Sequence, residues 1–123
     1  MARTIMKHKI LWLHDPEEHD YPAAESYLSL LFPHSEAAKI VGRLRLAAVV
    51  KFKAKDIARA SGLTLLGRDN RHVAHNLDKI HDGKELSPLL LVRGTHLIVA
   101  DGFHRLSAVY SLDEDAEIPC KIA

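Results

Sequence analysis

Residues 89–92, Leu-Leu-Leu-Val, and 97–99, Leu-Ile-Val, are two short apolar runs separated by Arg93-Gly94-Thr95. That pattern reads as strand, tight turn, strand. The second run meets Ala100-Asp101-Gly102, and from Gly102 to about Leu112 the apolar spacing is helical. A last strand is expected over 118–122, where Pro119 suits an edge or a strand start better than a mid-sheet position. Strands and helices alternate within one short stretch, so the expected fold class is α+β with a small mixed sheet.

Upstream, 9–13 (Lys-Ile-Leu-Trp-Leu) is an apolar run stopped by His14-Asp15-Pro16, which suits a buried strand. Pro22 sits at a plausible first helical position. Tyr27, Leu28, Leu31 and Phe32 then recur at three- and four-residue spacing before Pro33, and with Trp12 they are expected in the core. Ser35 offers an N-cap for a helix to about Ala47. The segment 49–52 is too short for periodicity to decide. Residues 53–61 look helical with Gly62 as the residue just past the end, 64–70 must be mostly loop, and Val73, Leu77 and Ile80 mark a helix from His72 closed by Asp82-Gly83. The sheet is therefore expected from strands near residues 9, 89, 97 and 118, with 22–63 as a helical layer.

With 123 residues the chain has the length of one ordinary domain, able to bury roughly two thirds of its unfolded surface without a covalent staple. The single Cys120 forms neither an intramolecular disulfide nor a four-thiolate zinc site, and a reducing cytoplasm is the expected compartment. No run approaches the roughly 18 apolar residues of a membrane span, and residues 1–8 lack an apolar stretch with a small-residue cleavage site. An unprocessed cytoplasmic chain without a membrane partner is expected.

The formal charge of +1 is an average, softened further by nine histidines. From Lys39 to Arg59 the chain carries Lys39, Arg43, Arg45, Lys51, Lys53, Lys55 and Arg59 against Asp56 alone. Such a segment either neutralises phosphates of DNA, RNA or a nucleotide, with Arg43, Arg45, Lys53 and Lys55 as the candidates, or is the wet face of two amphipathic helices. Residues 55–63 are similar to the first helix and turn of LacI-type helix-turn-helix domains, but Gly67, Asp69 and Asn70 stand where a recognition helix would need helix formers. The stretch His14-Asp15-Pro16-Glu17-Glu18-His19-Asp20 packs potential ligands for Mg, Mn or Zn at no familiar spacing. Its simpler reading is an exposed loop, and its carboxylates reach Asp101 only if the fold joins the two loops.

The residues most charged with chemistry are Asp101-Gly102-Phe103-His104-Arg105. A glycine at a strand-to-helix turn lets the backbone approach a ligand, and the helix start offers unsatisfied N–H groups to an anion. Arg105 adds a planar fork suited to phosphate, His104 a donor of tunable charge, and Asp101 an acceptor for a hydroxyl proton or a metal-bound water. The plainer alternative is that Asp101 only caps the helix while His104 and Arg105 are solvated.

At these residues, and over about 72–123, the chain resembles the ParB/sulfiredoxin superfamily, a resemblance that makes 72–123 the core unit of the fold. The resemblance runs through Leu-Ser-Pro-Leu-Leu-Leu-Val (86–92), Leu-Ile-Val-Ala-Asp-Gly-Phe-His-Arg (97–105), Ala108, Tyr110 and Ile-Pro-Cys-Lys-Ile (118–122). The turn is most similar to the Asp-Gly-His-His-Arg of the free serine kinases with this fold. It implies that Gly102, His104 and Arg105 contact nucleotide phosphates (CTP, ATP or ADP, with Mg2+) and that Asp101 lies beside the transferred or bridging phosphate. In sulfiredoxin-like proteins the helix before this unit also faces the phosphates, which brings in His72, His75 and Lys79 at i, i+3, i+7 spacing, a face that otherwise reads as a solvated polar stripe. Phe103 stands where sulfiredoxin has its catalytic cysteine, so sulfinic-acid reduction is not expected. ParB carries its centromere-binding helix-turn-helix after this unit, whereas this sequence stops at Ala123, so segregation by this chain alone is not expected either.

The function expected is nucleotide phosphate binding at 101–105, with Asp101 and His104 as candidate catalytic groups for phosphoryl transfer or hydrolysis and Asp101 as the metal contact. The alternatives are a nucleic-acid- or partner-binding module without chemistry and a metal-dependent nuclease.

Overall fold

Four consecutive apolar residues at Leu89–Val92 are all buried because they form a central strand covered on both faces. In a computed structural model, which describes residues 9–123, the element order is β1 (Leu11–Trp12), α1 (Asp20–Leu28), α2 (His34–Leu46), β2 (Val50–Lys53), α3 (Ala54–Ser61), α4 (Arg71–His81), β3 (Glu85–Leu86), β4 (Leu89–Val92), β5 (Ile98–Asp101), α5 (Phe103–Leu112) and β6 (Glu117–Ile122). Residues 1–8, where a cleavage site would fall, lie outside the described residues.

The main sheet has the order β2-β6-β4-β5. β4 runs antiparallel to β5 and parallel to β6, and β6 runs antiparallel to β2, so the sheet is mixed and the chain forms an α+β single domain. The strand period of two sorts the apolar side chains between faces. Leu89 and Leu91 pack with Leu106, Val109, Ile118 and Cys120, while Leu90 and Val92 pack with Ala24, Leu28, Ile40 and Leu44. Each such leucine contributes about 2–3 kcal/mol of burial, which is why this stretch tolerates no polar alternation.

Several elements differ from the sequence expectation. The strand near residue 9 shrinks to Leu11–Trp12 and pairs in parallel with β3 in a separate two-stranded sheet. Its place in the main sheet is taken by β2, the segment too short for periodicity to assign, which is exposed at every position because it is an edge. The layer expected over 22–63 divides: α1 and α2 cover one face, whereas Ala54 and Ile57 of α3 join the core on the other. Pro119 lies on a central strand. The ladder to β4 begins only at Cys120, so at the proline a single neighbour, Lys51 of β2, is paired.

Helix starts also move. α1 begins at Asp20, two residues before Pro22, and α2 begins at His34 after Pro33 with no side-chain cap, so Ser35 is inside the helix. α4 is capped by Asn70, whose Oδ1 accepts from His72 N–H at 2.9 Å and Val73 N–H at 3.2 Å. Leu28 is fully buried and Phe32 and Trp12 are half-buried, but Tyr27 is 41% exposed and Leu31 51% exposed, so the aromatic-leucine stripe is core on one side only. No helix among the described residues is long and apolar enough to cross a membrane.

Two glycines separate backbone need from mere tolerance. Gly42 lies inside α2 with open space where a Cβ would stand, whereas Gly102 has φ +104° and its Cβ would meet Leu89 Cγ at 2.8 Å. Gly42→Ala is expected to raise stability by about 0.5–1 kcal/mol, and Gly102→Ala to lower it by at least ~2 kcal/mol, measured by urea denaturation of each variant.

Candidate functional site

Asp101 ends β5 and Gly102 caps α5 in the left-handed region, without any side-chain hydrogen bond to the helix start. A Cβ at Gly102 would also stand 2.9 Å from Arg105 Nη2, so both conformation and packing call for glycine. The first α5 backbone bond is Leu106 N–H to Gly102 C=O at 2.9 Å. The amides of Phe103, His104 and Arg105 precede it, and no acceptor within the described residues takes them up. Asp101 does not cap the helix.

Its carboxylate turns instead to Arg105. Arg105 Nη2 lies 3.0 Å from Asp101 Oδ2, 3.4 Å from the Pro88 carbonyl and 3.9 Å from Asp20 Oδ2, with only 16% of the side chain exposed. Ser87 Oγ donates a short hydrogen bond to Asp20 Oδ2 and accepts the Glu17 N–H at 3.1 Å. His19 Nε2 closes the outer side, 3.3 Å from Asp20 Oδ1 and 3.5 Å from Glu17 Oε2. The fold therefore does join the 14–20 loop to Asp101, and the cation between the two carboxylates is a guanidinium. Arg105, expected as a phosphate donor, ties α5, β5, α1 and the Ser87-Pro88 turn together; its Nε–H is enclosed with no acceptor among the described residues.

The other candidates fall in two groups. His72 at the start of α4 reaches the site, its ring centroid 4.9 Å from that of His104, and Phe103 lies edge-on to His104 at 6.2 Å. His75 is exposed and Lys79 half-buried farther along α4, and among the described residues neither has a ring contact, hydrogen bond or ion pair to the turn. Arg45, Lys53 and Lys55 are drawn to carboxylates: Arg45 to Glu18 at 2.5 Å and over the Tyr21 ring at 4.3 Å, Lys55 to Asp115 at 2.7 Å, and Lys53 to Asp115 at 4.0 Å. Arg43 is exposed and unpaired among the described residues. After α3 the chain runs without helix to Arg71, so residues 55–63 do not open a helix-turn-helix.

Beside the turn lies an open cleft of about 510 Å³, walled by Ala23 and Tyr27 of α1, by Leu63 and Thr64, and by residues 100–104. The 64–70 loop is stitched to α5 by Leu66 N–H to Ser107 Oγ at 3.2 Å and Arg68 Nη2 to Ser111 C=O at 2.8 Å, which fixes that wall. Among the described residues no three His, Cys, Asp or Glu side chains gather as a metal cluster. Asp101 Oδ1 nevertheless makes no hydrogen bond among the described residues, and one such oxygen together with ligand phosphates fits the way Mg2+ is usually held.

Three of these residues have roles that sequence reasoning misses. Asp20 is one acid among several in its loop, Tyr27 carries the spacing of a core residue, and Ser87 offers only the weak Ser-Pro turn signal. No protein-family model matches this chain, nor does any curated protein or solved structure.

Burial pushes the Asp101 carboxyl above its ordinary value, outweighing Arg105, which pulls it down. Burial, then His72, then Arg105 push the His104 pKa below 6.5. The two shifts act oppositely on stability. The stabilisation from protonated Asp101 is full below 3.8 and is lost as pH rises through its folded value, while that from neutral His104 is full above 6.5 and is lost as pH falls through its folded value. His104→Gln is thus expected to flatten the fall in urea midpoint between pH ~7.5 and ~5.5; an unchanged slope contradicts the assignment. Arg105→Ala leaves Asp20 and Asp101 without their cation and is expected to cost about 3 kcal/mol in the same assay. Arg59→Ala, removing an 81% exposed partner of Asp56, is expected to cost no more than ~0.5 kcal/mol.

Proposed function

We propose that this chain binds the phosphates of a nucleotide, CTP, ATP or ADP, with Mg2+, at the turn from Asp101 to His104. The observation that carries this reading is the run of three unclaimed amides at the start of α5, opened by a glycine that no other residue replaces without strain. His104 and His72 add donors at the same end, and the similarity of Asp101-Gly102-Phe103-His104-Arg105 to the phosphate-binding turns of ParB and the free serine kinases supports it independently.

The charge of the site argues for the magnesium complex over the free anion. Asp20 and Asp101 together outweigh the single positive charge of Arg105, so a divalent ion beside Asp101 offsets repulsion of the phosphates. Arg105 acts here as a positioning residue that holds the turn, and His104 as the donor to phosphate. Any phosphoryl transfer would use Asp101, whose carboxyl burial shifts above its ordinary value, as the proton acceptor.

Isothermal titration with CTP, ATP and ADP is the test, with and without Mg2+. Binding is expected below millimolar concentration, stronger with Mg2+, stronger at pH ~6 than at pH ~8 because phosphate favours protonated His104, and about tenfold weaker in His104→Ala. Absence of binding at about 1 mM, or equal binding by His104→Ala, overturns the proposal. Arg105→Ala is a poor probe because it disturbs the fold. Release of inorganic phosphate in the same samples distinguishes a hydrolase from a binding module.

A further inference from the structure

Resting on that reading, we infer that the cleft beside the turn is a nucleobase subsite, with Tyr27 as its stacking surface. α1 lies across β5 with Asp20, Ala23 and Tyr27 at three- and four-residue spacing, so the three follow one another along one helix face. The face grades from charged to apolar. Asp20 meets Arg105 and Ser87, Ala23 leaves room beside residues 100–104, and Tyr27, 41% exposed, lines the cleft. Asp20 and Tyr27 are about 10 Å apart along the axis, a separation suited to phosphates at one end and a base at the other.

The opposite wall is apolar as well. Leu63, 46% exposed, faces the same cleft together with Thr64, on a segment anchored to α5 through Leu66 and Arg68. An exposed tyrosine and leucine facing each other across a gap offer apolar surface to a planar group, and stacking on an aromatic ring serves any base. The volume of about 510 Å³ lies in the range of small-ligand sites, and the polar groups gather at one end, which orients the occupant. Cleft and phosphate turn are continuous, since Asp101, Gly102 and His104 line both.

The experiment compares Mg·ATP, Mg·CTP and Mg·tripolyphosphate on the full chain by isothermal titration, in wild type, Tyr27→Ala and Tyr27→Phe. At least one nucleotide is expected to bind about tenfold more tightly than tripolyphosphate. Tyr27→Ala is expected to erase that advantage while leaving tripolyphosphate binding unchanged, and Tyr27→Phe to keep it. If tripolyphosphate binds as tightly as both nucleotides, or if Tyr27→Ala binds nucleotide like wild type, the base subsite is overturned while phosphate binding stands. If neither nucleotide nor tripolyphosphate binds, both fall together.

Discussion

Arg105 is the residue on which the geometry of this domain's charged end depends. Its guanidinium lies between Asp101 at the end of β5 and Asp20 at the start of α1, and it also donates to the Pro88 carbonyl. One cation thereby fixes the helix that succeeds the sheet, the helix that covers it, and the turn between two strands. The arrangement is costly to take apart. A buried pair gives modest net stability but leaves uncompensated charge when one member is removed, so the three elements either hold this registry or the end of the sheet opens. Gly102 belongs to the same constraint, because its left-handed backbone lets the Arg105 side chain fold back over the turn.

That registry produces a division of labour. Arg105 Nη2 is taken up by Asp101 Oδ2 and the helix start is left without a side-chain cap, so the α5 amides are the donors open to an anion. His104 and His72 stand together beside the start of α5, and burial, then His72, then Arg105 push the His104 pKa below its ordinary value. Tyr27 and Leu63 extend the same cleft into an apolar region. The proposed ligand, with phosphate at one end and a flat apolar group at the other, is drawn from this gradient. Of the four basic candidates for a nucleic-acid backbone, Arg45, Lys53 and Lys55 have carboxylate partners, and Arg43 is exposed and unpaired among the described residues.

The α+β class, the strand-turn-strand of 89–99, the helix from Arg71 and the glycine turn were legible in the sequence because each rests on local pattern: apolar runs, Gly62 and Gly83 past helix ends, and Asp101-Gly102 between strand and helix. β2 escaped because an edge strand needs no buried face and so shows no apolar alternation. Pro119 misled because its rule concerns missing hydrogen bonds, and a central strand accepts it where only one ladder has begun. Tyr27 and Leu28 share one apolar spacing, yet only the fold shows that Leu28 faces the core and Tyr27 the cleft. The pairing of Arg105 with Asp20 spans most of the chain, and no local pattern encodes it.

The most direct measurement is an amide-resolved NMR titration of the full chain with Mg·tripolyphosphate. Phosphate held at the start of α5 is expected to move the Phe103 and His104 amide resonances downfield first and furthest, with the Arg105 side chain unchanged in its ion pair. Shifts confined to the Lys39–Arg59 segment, with Phe103 and His104 unmoved, would contradict phosphate binding at the turn.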